Sequence, residues 1–269
     1  MKNRVREWLD TGKVDLFLGY KNVDGHPLPH GFGKENLQEL EALIISPARY
    51  PLEKLAAEIL AIKPSLKIGI LGRDCNRRAL NVLAVHQQIT PGQIEVMDVN
   101  CCPSQLHKHA DCSSLQPRTY GDVKLQLGLD NNMSVNQLKE YDQETVFSKW
   151  MYEFEKCLKC YGCRDICPVC FCKECSLEHG DLIASGGLPP EVPLFHLVRA
   201  VHMAGRCIDC GLCEDACPAD IPLRLLYRSV NAIVKDLFGY ETGTSHEQPP
   251  FSLLGGSPPR EAEPHREAV

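Results

Sequence analysis

A chain of 269 residues is long enough for two modest domains with cores of their own, and its formal net charge of −6 argues against nucleic acid as a main partner. No apolar run approaches the ~20 residues of a membrane-spanning helix, so we expect no membrane span. The N-terminal segment lacks the apolar core of a signal peptide, and 15 cysteines without a secretion signal indicate a reducing cytoplasm, where thiolates bind metals. We therefore expect a cytoplasmic metal-binding protein.

Residues 1–115 alternate between strand-like and helix-like segments, which predicts an α/β domain with a small parallel sheet. A loop rich in Gly, Pro and His is expected at 25–31. The predicted strands are 14–18, 44–45, 66–71 and 94–99, and the predicted helices are 5–9, 36–43, 52–60 and 76–87.

Three cysteines follow directly after predicted strands. Cys75 comes after the strand ending at Leu71, and Cys101 and Cys102 come after the strand ending at Val99. The carboxyl ends of parallel strands meet at one edge of a sheet, so these thiols are expected to share a rim where functional sites gather. The alternative is that each is a small buried hydrophobe, which is common for cysteine.

The remainder of the chain is predicted to be mainly helical. Residues 116–155 should form a connector and a helix over 134–155, residues 156–240 a helical ferredoxin-like domain, and residues 241–269 a disordered tail rich in Gly, Pro, Ser and Glu. Within the ferredoxin-like domain, 193–203 and 222–238 read as amphipathic helices. His196 and His202 are interpreted as polar-face residues, with a ligand role as the lesser alternative.

Two cysteine runs in this domain share the spacing Cys-x-x-Cys-x-x-Cys-x-x-x-Cys-Pro, the bacterial ferredoxin pattern for a 4Fe-4S cubane. Three thiolates on a short loop can bind three irons of one cube, while the fourth, ahead of a proline, points away to the other cube. A zinc site would not explain the even spacing of three cysteines in each run or the Cys-Pro that follows them. Disulfides are the other alternative, but they belong to oxidising compartments. The predicted ligand sets are Cys157, Cys160, Cys163 and Cys217 for the first cluster, and Cys207, Cys210, Cys213 and Cys167 for the second.

Cys170, Cys172 and Cys175 follow the first run and are not needed by these two clusters. One hypothesis is that they bind a third 4Fe-4S cluster, completed by Cys75 or Cys102. The competing account is that the triplet is simply buried near the first cluster. We favour the third cluster, because an unliganded, reactive triplet would be prone to oxidation.

The segments Cys157–Cys175 and Gly72–Ala79 resemble the β subunits of deazaflavin-reducing hydrogenases and formate dehydrogenases. The chain also resembles shorter relatives in heterodisulfide-reductase-like and formate dehydrogenase complexes of anaerobes. The second run resembles the ferredoxin subunit of heterodisulfide reductase. The resemblance implies a subunit that passes electrons between a catalytic subunit and a flavin or iron–sulfur partner. Larger members of the family carry an extended flavin-binding region that is not expected here.

Two functions follow from these observations. The first is a non-catalytic electron-transfer subunit of an anaerobic oxidoreductase complex, with no catalytic residue of its own. The second is a flavin-dependent β subunit that reduces a deazaflavin or similar carrier, with FAD phosphates near Arg73, Arg77 or Arg78. No Gly-x-Gly-x-x-Gly fingerprint follows any strand, and a solvated helix face explains these arginines more simply, so FAD is not favoured. Redox sensing is a weaker third alternative, for which no DNA-binding segment is visible.

Overall fold

The computed structural model describes residues 1–46, 49–99, 126–181, 183–184 and 191–250. The chain divides into two compact units. The N-terminal unit comprises Met1–Ser114 together with Ile166–Phe171, and the C-terminal unit comprises Leu115–Asp165 and Cys172–Val269. The segment that contains Cys167 and Cys170 therefore groups with the N-terminal unit, although it follows the first cysteine triplet in sequence.

The N-terminal unit is an α/β structure, as predicted. Its elements are α1 Lys2–Asp10, β1 Leu16–Val23, β2 His26–Gly33, a 3-10 helix Lys34–Ala42, β3 Leu43–Ile44, α2 Leu52–Ile62, β4 Ile68–Gly72, α3 Asp74–Val85 and β5 Ile94–Asp98. The predicted strands and helices in this region are confirmed to within three residues at their ends, with two exceptions. The strand predicted at 14–18 extends to Val23, and the helix predicted at 36–43 is a 3-10 helix.

The sheet has the order β2-β1-β4-β5 and is mixed, so the prediction of a parallel sheet is correct only for part of it. The pairs β1–β4 and β4–β5 are parallel, whereas β2 and β3 pair with β1 in the antiparallel direction. The predicted loop at 25–31 is wrong, because these residues form most of β2. Asp24 and Gly25, both with positive φ, make a two-residue hairpin turn between β1 and β2.

Apolar side chains cover both faces of this sheet. One face packs with α1 and the 3-10 helix through a cluster that includes Trp8, Phe17 and Phe32. The other face packs with α2 through Leu18, Ala56 and Ile70. Since neighbouring residues of a strand point to opposite faces, Phe17 and Leu18 of β1 enter different clusters. The crossover helices and the sheet thus place the carboxyl end of β4 directly before α3, with Cys75 in the first turn of that helix.

The C-terminal unit is helical in the part that the structure describes. Its elements are α4 Val135–Leu138, α5 Gln143–Glu155, α6 Gly162–Asp165, a 3-10 turn Ser176–Glu178, α7 Leu194–Met203, α8 Leu212–Asp215 and α9 Leu223–Phe238. The helix predicted over 134–155 is divided in two because Asp142 caps the N-terminus of α5, where its carboxylate accepts a hydrogen bond from the Thr145 amide at 2.9 Å.

Helix α7 presents a different face to the core than its sequence indicates. Leu194, Leu197 and Val201 on its apolar stripe are exposed, Val201 at 72%, and Val198 is half-buried. The buried residues are instead Phe195, His196, Arg199, Ala200 and Met203. The interpretation of His196 as a polar-face residue is therefore wrong, whereas His202 is exposed as expected. This face is buried because it packs beside the first cysteine loop.

Past the predicted domain boundary at residue 240, residues 241–250 form turns in which Thr242 is buried. The rest of the predicted tail, 251–269, lies outside the described residues, as does 116–125 of the predicted connector. Among the described helices, none combines the length and the apolar character needed to cross a membrane.

Candidate metal centre

The two cysteine triplets lie on loops with the same backbone conformation. In the first, Lys159 and Tyr161 have φ values of +49° and +59°; in the second, Asp209 and Gly211 have +55° and +80°. Left-handed residues at these two places bend the backbone of each loop, so that its cysteine side chains can face the same point. In the first loop the Lys159 amide thereby points at the Cys157 sulfur, 3.4 Å away. Each loop leads into a one-turn helix, α6 and α8 respectively, followed by the Cys-Pro of its run.

Four thiols predicted to share one cluster line a single small cavity in the C-terminal unit. Cys157, Cys160 and Cys163 come from the first loop, and Cys217 comes from the Cys-Pro of the second run. Mainly apolar side chains, among them Phe195, line the rest of this cavity. The chain thus brings together three thiols of one run and the trailing thiol of the other, and sulfur ligands are what iron–sulfur clusters require. These residues fit such a cluster.

Burial raises the pKa of two of these thiols, Cys157 and Cys163, and so favours their protonated form. Desolvation raises the pKa of Cys163 to about 11 and also raises the pKa of Cys157, and the neighbouring thiols of the cavity add to both effects. The positive charge of Arg199 acts in the opposite direction on Cys163. Thiolates, not thiols, bind metals, so loading iron into this cavity must release protons.

Helix α7 supplies two buried polar side chains to this site. The guanidinium of Arg199 donates a hydrogen bond to the Cys163 carbonyl oxygen at 2.8 Å. The imidazole of His196 lines the cavity and stacks on Phe154, with ring centroids 4.6 Å apart. Burial and the charge of Arg199 lower the pKa of His196 to about 4, so the ring is neutral at physiological pH.

The second cysteine loop is held by helix α9. Asp209, in the left-handed position of that loop, accepts hydrogen bonds from the Nε atoms of Arg224 at 2.7 Å and Arg228 at 3.0 Å. The side-chain amide of Asn231 donates to the Cys207 carbonyl oxygen at 2.9 Å. Cys207, Cys210 and Cys213 thereby lie on an anchored loop, while Cys167, the fourth predicted ligand, is 7% exposed in the segment that groups with the N-terminal unit.

The additional cysteines fall in both units. Cys170 and Cys75 belong to the N-terminal unit, and Cys172 and Cys175 to the C-terminal unit. Cys175 packs with the cluster of Leu177, Ile183 and Phe195. Cys101, Cys102 and Cys112 lie outside the described residues. Among the side chains that the structure describes, no group of three or more His, Cys, Asp or Glu could hold a metal ion. Such a group would bind a single ion. A 4Fe-4S cubane is different, because each of its four irons binds one thiolate.

Two of the three arginines considered for a flavin phosphate bind oxygen atoms within the N-terminal unit. Arg73 is buried, and its guanidinium donates to the Ser46 carbonyl oxygen at 2.6 Å. The Nε atom of Arg77 donates to the Asp98 carboxylate at 2.8 Å. The Nε atom of Arg78 is buried and has no hydrogen-bond partner within the described ranges.

Sequence reasoning missed the buried polar residues around these sites. Arg199 was not singled out, because the leucines and valines of α7 indicate a different buried face. Glu53 was also missed, although it is 2% exposed and accepts a hydrogen bond from the Asn76 side chain at 2.6 Å. No periodicity marks a charged residue that is buried, so only the structure identifies these groups.

Known proteins with similar sequences support the metal-binding interpretation. Residues 200–222 match the family of 4Fe-4S binding domains. The chain is 44% identical over 272 residues to the F420-dependent formate dehydrogenase 1 subunit beta of Methanococcus maripaludis, covering 96% of this chain and 62% of the relative. It is 43% identical over 116 residues to the F420-dependent formate dehydrogenase subunit beta of Methanocaldococcus jannaschii, covering 43% of this chain and 31% of the relative.

This chain therefore spans less than two thirds of the length of either relative. The matches confirm the family resemblance and at least one 4Fe-4S binding domain in the C-terminal unit. The chain is a homologue of the β subunits of F420-dependent formate dehydrogenases.

Proposed function

We propose that this chain is an iron–sulfur electron-transfer subunit that relays single electrons between the catalytic subunit of an anaerobic oxidoreductase and a second flavin or iron–sulfur protein. A bound 4Fe-4S cluster supplies one-electron chemistry, at a potential set by net charge, hydrogen bonds to sulfur and solvent exposure. The chain supplies these controls through the charge of Arg199 and the largely apolar lining of the cavity.

The observation that carries the proposal is the cavity lined by Cys157, Cys160, Cys163 and Cys217. A simple one-run site would have no reason to include Cys217, whereas ligation across the two runs requires it. By the same pattern, Cys207, Cys210 and Cys213 with Cys167 hold the second cluster. The matching backbone of the two loops supports this second set.

The partner follows from the relatives. Both are named as β subunits of formate dehydrogenases, which makes the catalytic subunit of such an enzyme the first candidate. The catalytic subunit of a hydrogenase or of a heterodisulfide-reductase-like enzyme is the alternative that the resemblance leaves open. Isolation of the chain with its associated subunits under strict anaerobiosis, followed by identification of the largest subunit, distinguishes these partners.

Ligation across the runs is tested by pairs of cysteine substitutions. Cys163→Ala with Cys217→Ala removes two ligands of one proposed cluster, so about half of the iron of the two-cluster domain should remain. Cys163→Ala with Cys167→Ala removes one ligand from each cluster, so neither should remain intact. If each run instead held its own cluster, the two double variants would exchange results. Anaerobic material that contained zinc, or no metal, would overturn the proposal.

We also propose a third cluster held by Cys170, Cys172 and Cys175, with Cys75 or Cys102 as the fourth ligand. The location of Cys75 at the first turn of α3, after β4, supports its candidacy. Iron and acid-labile sulfide near 12 per chain are expected with three clusters, and a value near eight would rule the third one out.

The second candidate function, a flavin-dependent β subunit, is favoured by the F420-dependence in the names of the relatives. The contacts of Arg73 and Arg77 argue against it, because both guanidinium groups already bind carbonyl or carboxylate oxygens within the unit. Acid extraction of the purified chain and measurement of flavin fluorescence separates the two functions. Stoichiometric FAD would favour the second.

A further inference from the structure

His196 is a buried polar side chain for which the described part of the chain provides no hydrogen bond. The residue is 1% exposed, and neither Nδ1 nor Nε2 has a hydrogen-bond partner among the residues that the structure describes. Buried polar groups are nearly always paired, so an imidazole with both nitrogens unpaired needs an explanation. Its neighbours on α5 and α7 give none, because Phe154 stacks on the ring and Phe195 meets it edge to face.

The cavity of the first cysteine loop lies against this ring. Among the histidines in the described ranges, His196 is the one that lines the cavity, together with Cys157, Cys160, Cys163 and Cys217. A neutral imidazole carries one N–H donor, and the sulfurs of a cubane are acceptors with negative charge. Donor and acceptor would thus share one small, largely apolar cavity, where a hydrogen bond to a charged sulfur is stronger than in water.

We propose that His196 donates a hydrogen bond to a sulfur of the cluster bound by these four cysteines and thereby raises the reduction potential of that cluster. The inference rests on the proposed function, since it requires the cluster to be present. His196 is a positioning residue that acts through the sulfur rather than a ligand, because the four thiols already complete the set. Arg199, one turn further along α7, places a positive charge on the same side of the loop.

The direction of the effect follows from charge. Reduction adds an electron to the cluster, and a hydrogen bond to sulfur stabilises the more negative form more strongly. Loss of the donor should therefore make reduction less favourable. We expect the equilibrium constant for reduction to fall about tenfold, which for a one-electron couple corresponds to about 59 mV.

The test is the substitution His196→Phe in the full chain, which keeps an aromatic ring against Phe154 and removes the N–H. His202→Phe, at an exposed position of the same helix, is the matched control. Redox titration followed by electron paramagnetic resonance should show one cluster shifted to lower potential in His196→Phe and both clusters unchanged in His202→Phe. His196→Gln, which keeps a donor, should recover part of the shift.

A second measurement needs no variant. In wild-type protein labelled with 15N-histidine, the reduced cluster should show a 15N coupling in pulsed electron paramagnetic resonance. Absence of this coupling, or unchanged potentials in His196→Phe with its clusters intact, would overturn the inference while leaving the electron-transfer function in place. Absence of clusters from the wild-type chain would instead remove the proposed function itself, together with this inference.

Discussion

Replacement of Glu53 by Gln should remove a pH-dependent part of the stability of the N-terminal unit. Glu53 lies in the first turn of α2, is 2% exposed and accepts a hydrogen bond from Asn76. Desolvation raises its pKa to about 7, and neither this hydrogen bond nor the nearby charge of Arg73 offsets the effect. The carboxyl is therefore largely protonated in the folded protein under conditions in which it is ionised in the unfolded chain.

The size of the effect follows from the difference between the two pKa values. The ordinary value of 4.5 and the folded value of about 7 differ by an amount that corresponds to about 3 kcal/mol. Because the folded value is the higher one, this contribution is fully present below pH 4.5 and is lost as the pH rises through about 7. A glutamine resembles the protonated carboxyl and does not ionise. Glu53→Gln should match wild type within about 1 kcal/mol at pH 5 and be about 3 kcal/mol more stable at pH 8.

The assay is anaerobic urea unfolding followed by the fluorescence of Trp8, which is buried in the core of the same unit. The chain has two tryptophans, so all proteins should carry Trp150→Phe to isolate this signal. Glu58→Gln, at an exposed position of α2, is the matched control and should behave alike at both pH values. A stability difference between Glu53→Gln and wild type that is equal at pH 5 and pH 8, or larger at pH 5, would refute the reasoning.

Two further predictions concern the cysteine loops. Asp209→Asn should destabilise the second loop by about 2–4 kcal/mol, because Arg224 and Arg228 lose the carboxylate that they share. The variant should therefore lose iron at a lower urea concentration than the control Asp236→Asn. Equal urea midpoints for iron loss in the two variants would contradict the anchoring role of Asp209. Arg199→Gln should lower the potential of one cluster by tens of millivolts, since a positive charge beside Cys163 favours the reduced state, whereas Arg199→Lys should retain most of it. Equal potentials in the two Arg199 variants would show that the charge has no influence.

Strand β2 lies where the sequence predicts a loop. Pro27 and Pro29 made the segment look like a loop, yet β2 is an edge strand, where a proline can leave its missing N–H on the unpaired side. The Asp24–Gly25 pair was the available signal, because its positive φ angles suit the tight turn of a hairpin. A local turn motif was thus more informative here than strand propensity.

The sequence by itself determined the chemistry and most of the secondary structure. Ligand spacing along a loop is a local property, so the two cysteine runs predicted a 4Fe-4S domain, and strand and helix periods are local in the same way. The tertiary structure decided which thiols meet in one cavity and which side of α7 faces them. It also decided that His196 and Arg199 are buried beside those thiols while Leu194, Leu197 and Val201 of the same helix are exposed. The physical reason is that the helical period shows which residues share one face of a helix, but not which part of the protein that face contacts. A site that carries charge can favour burial of the polar face of the helix.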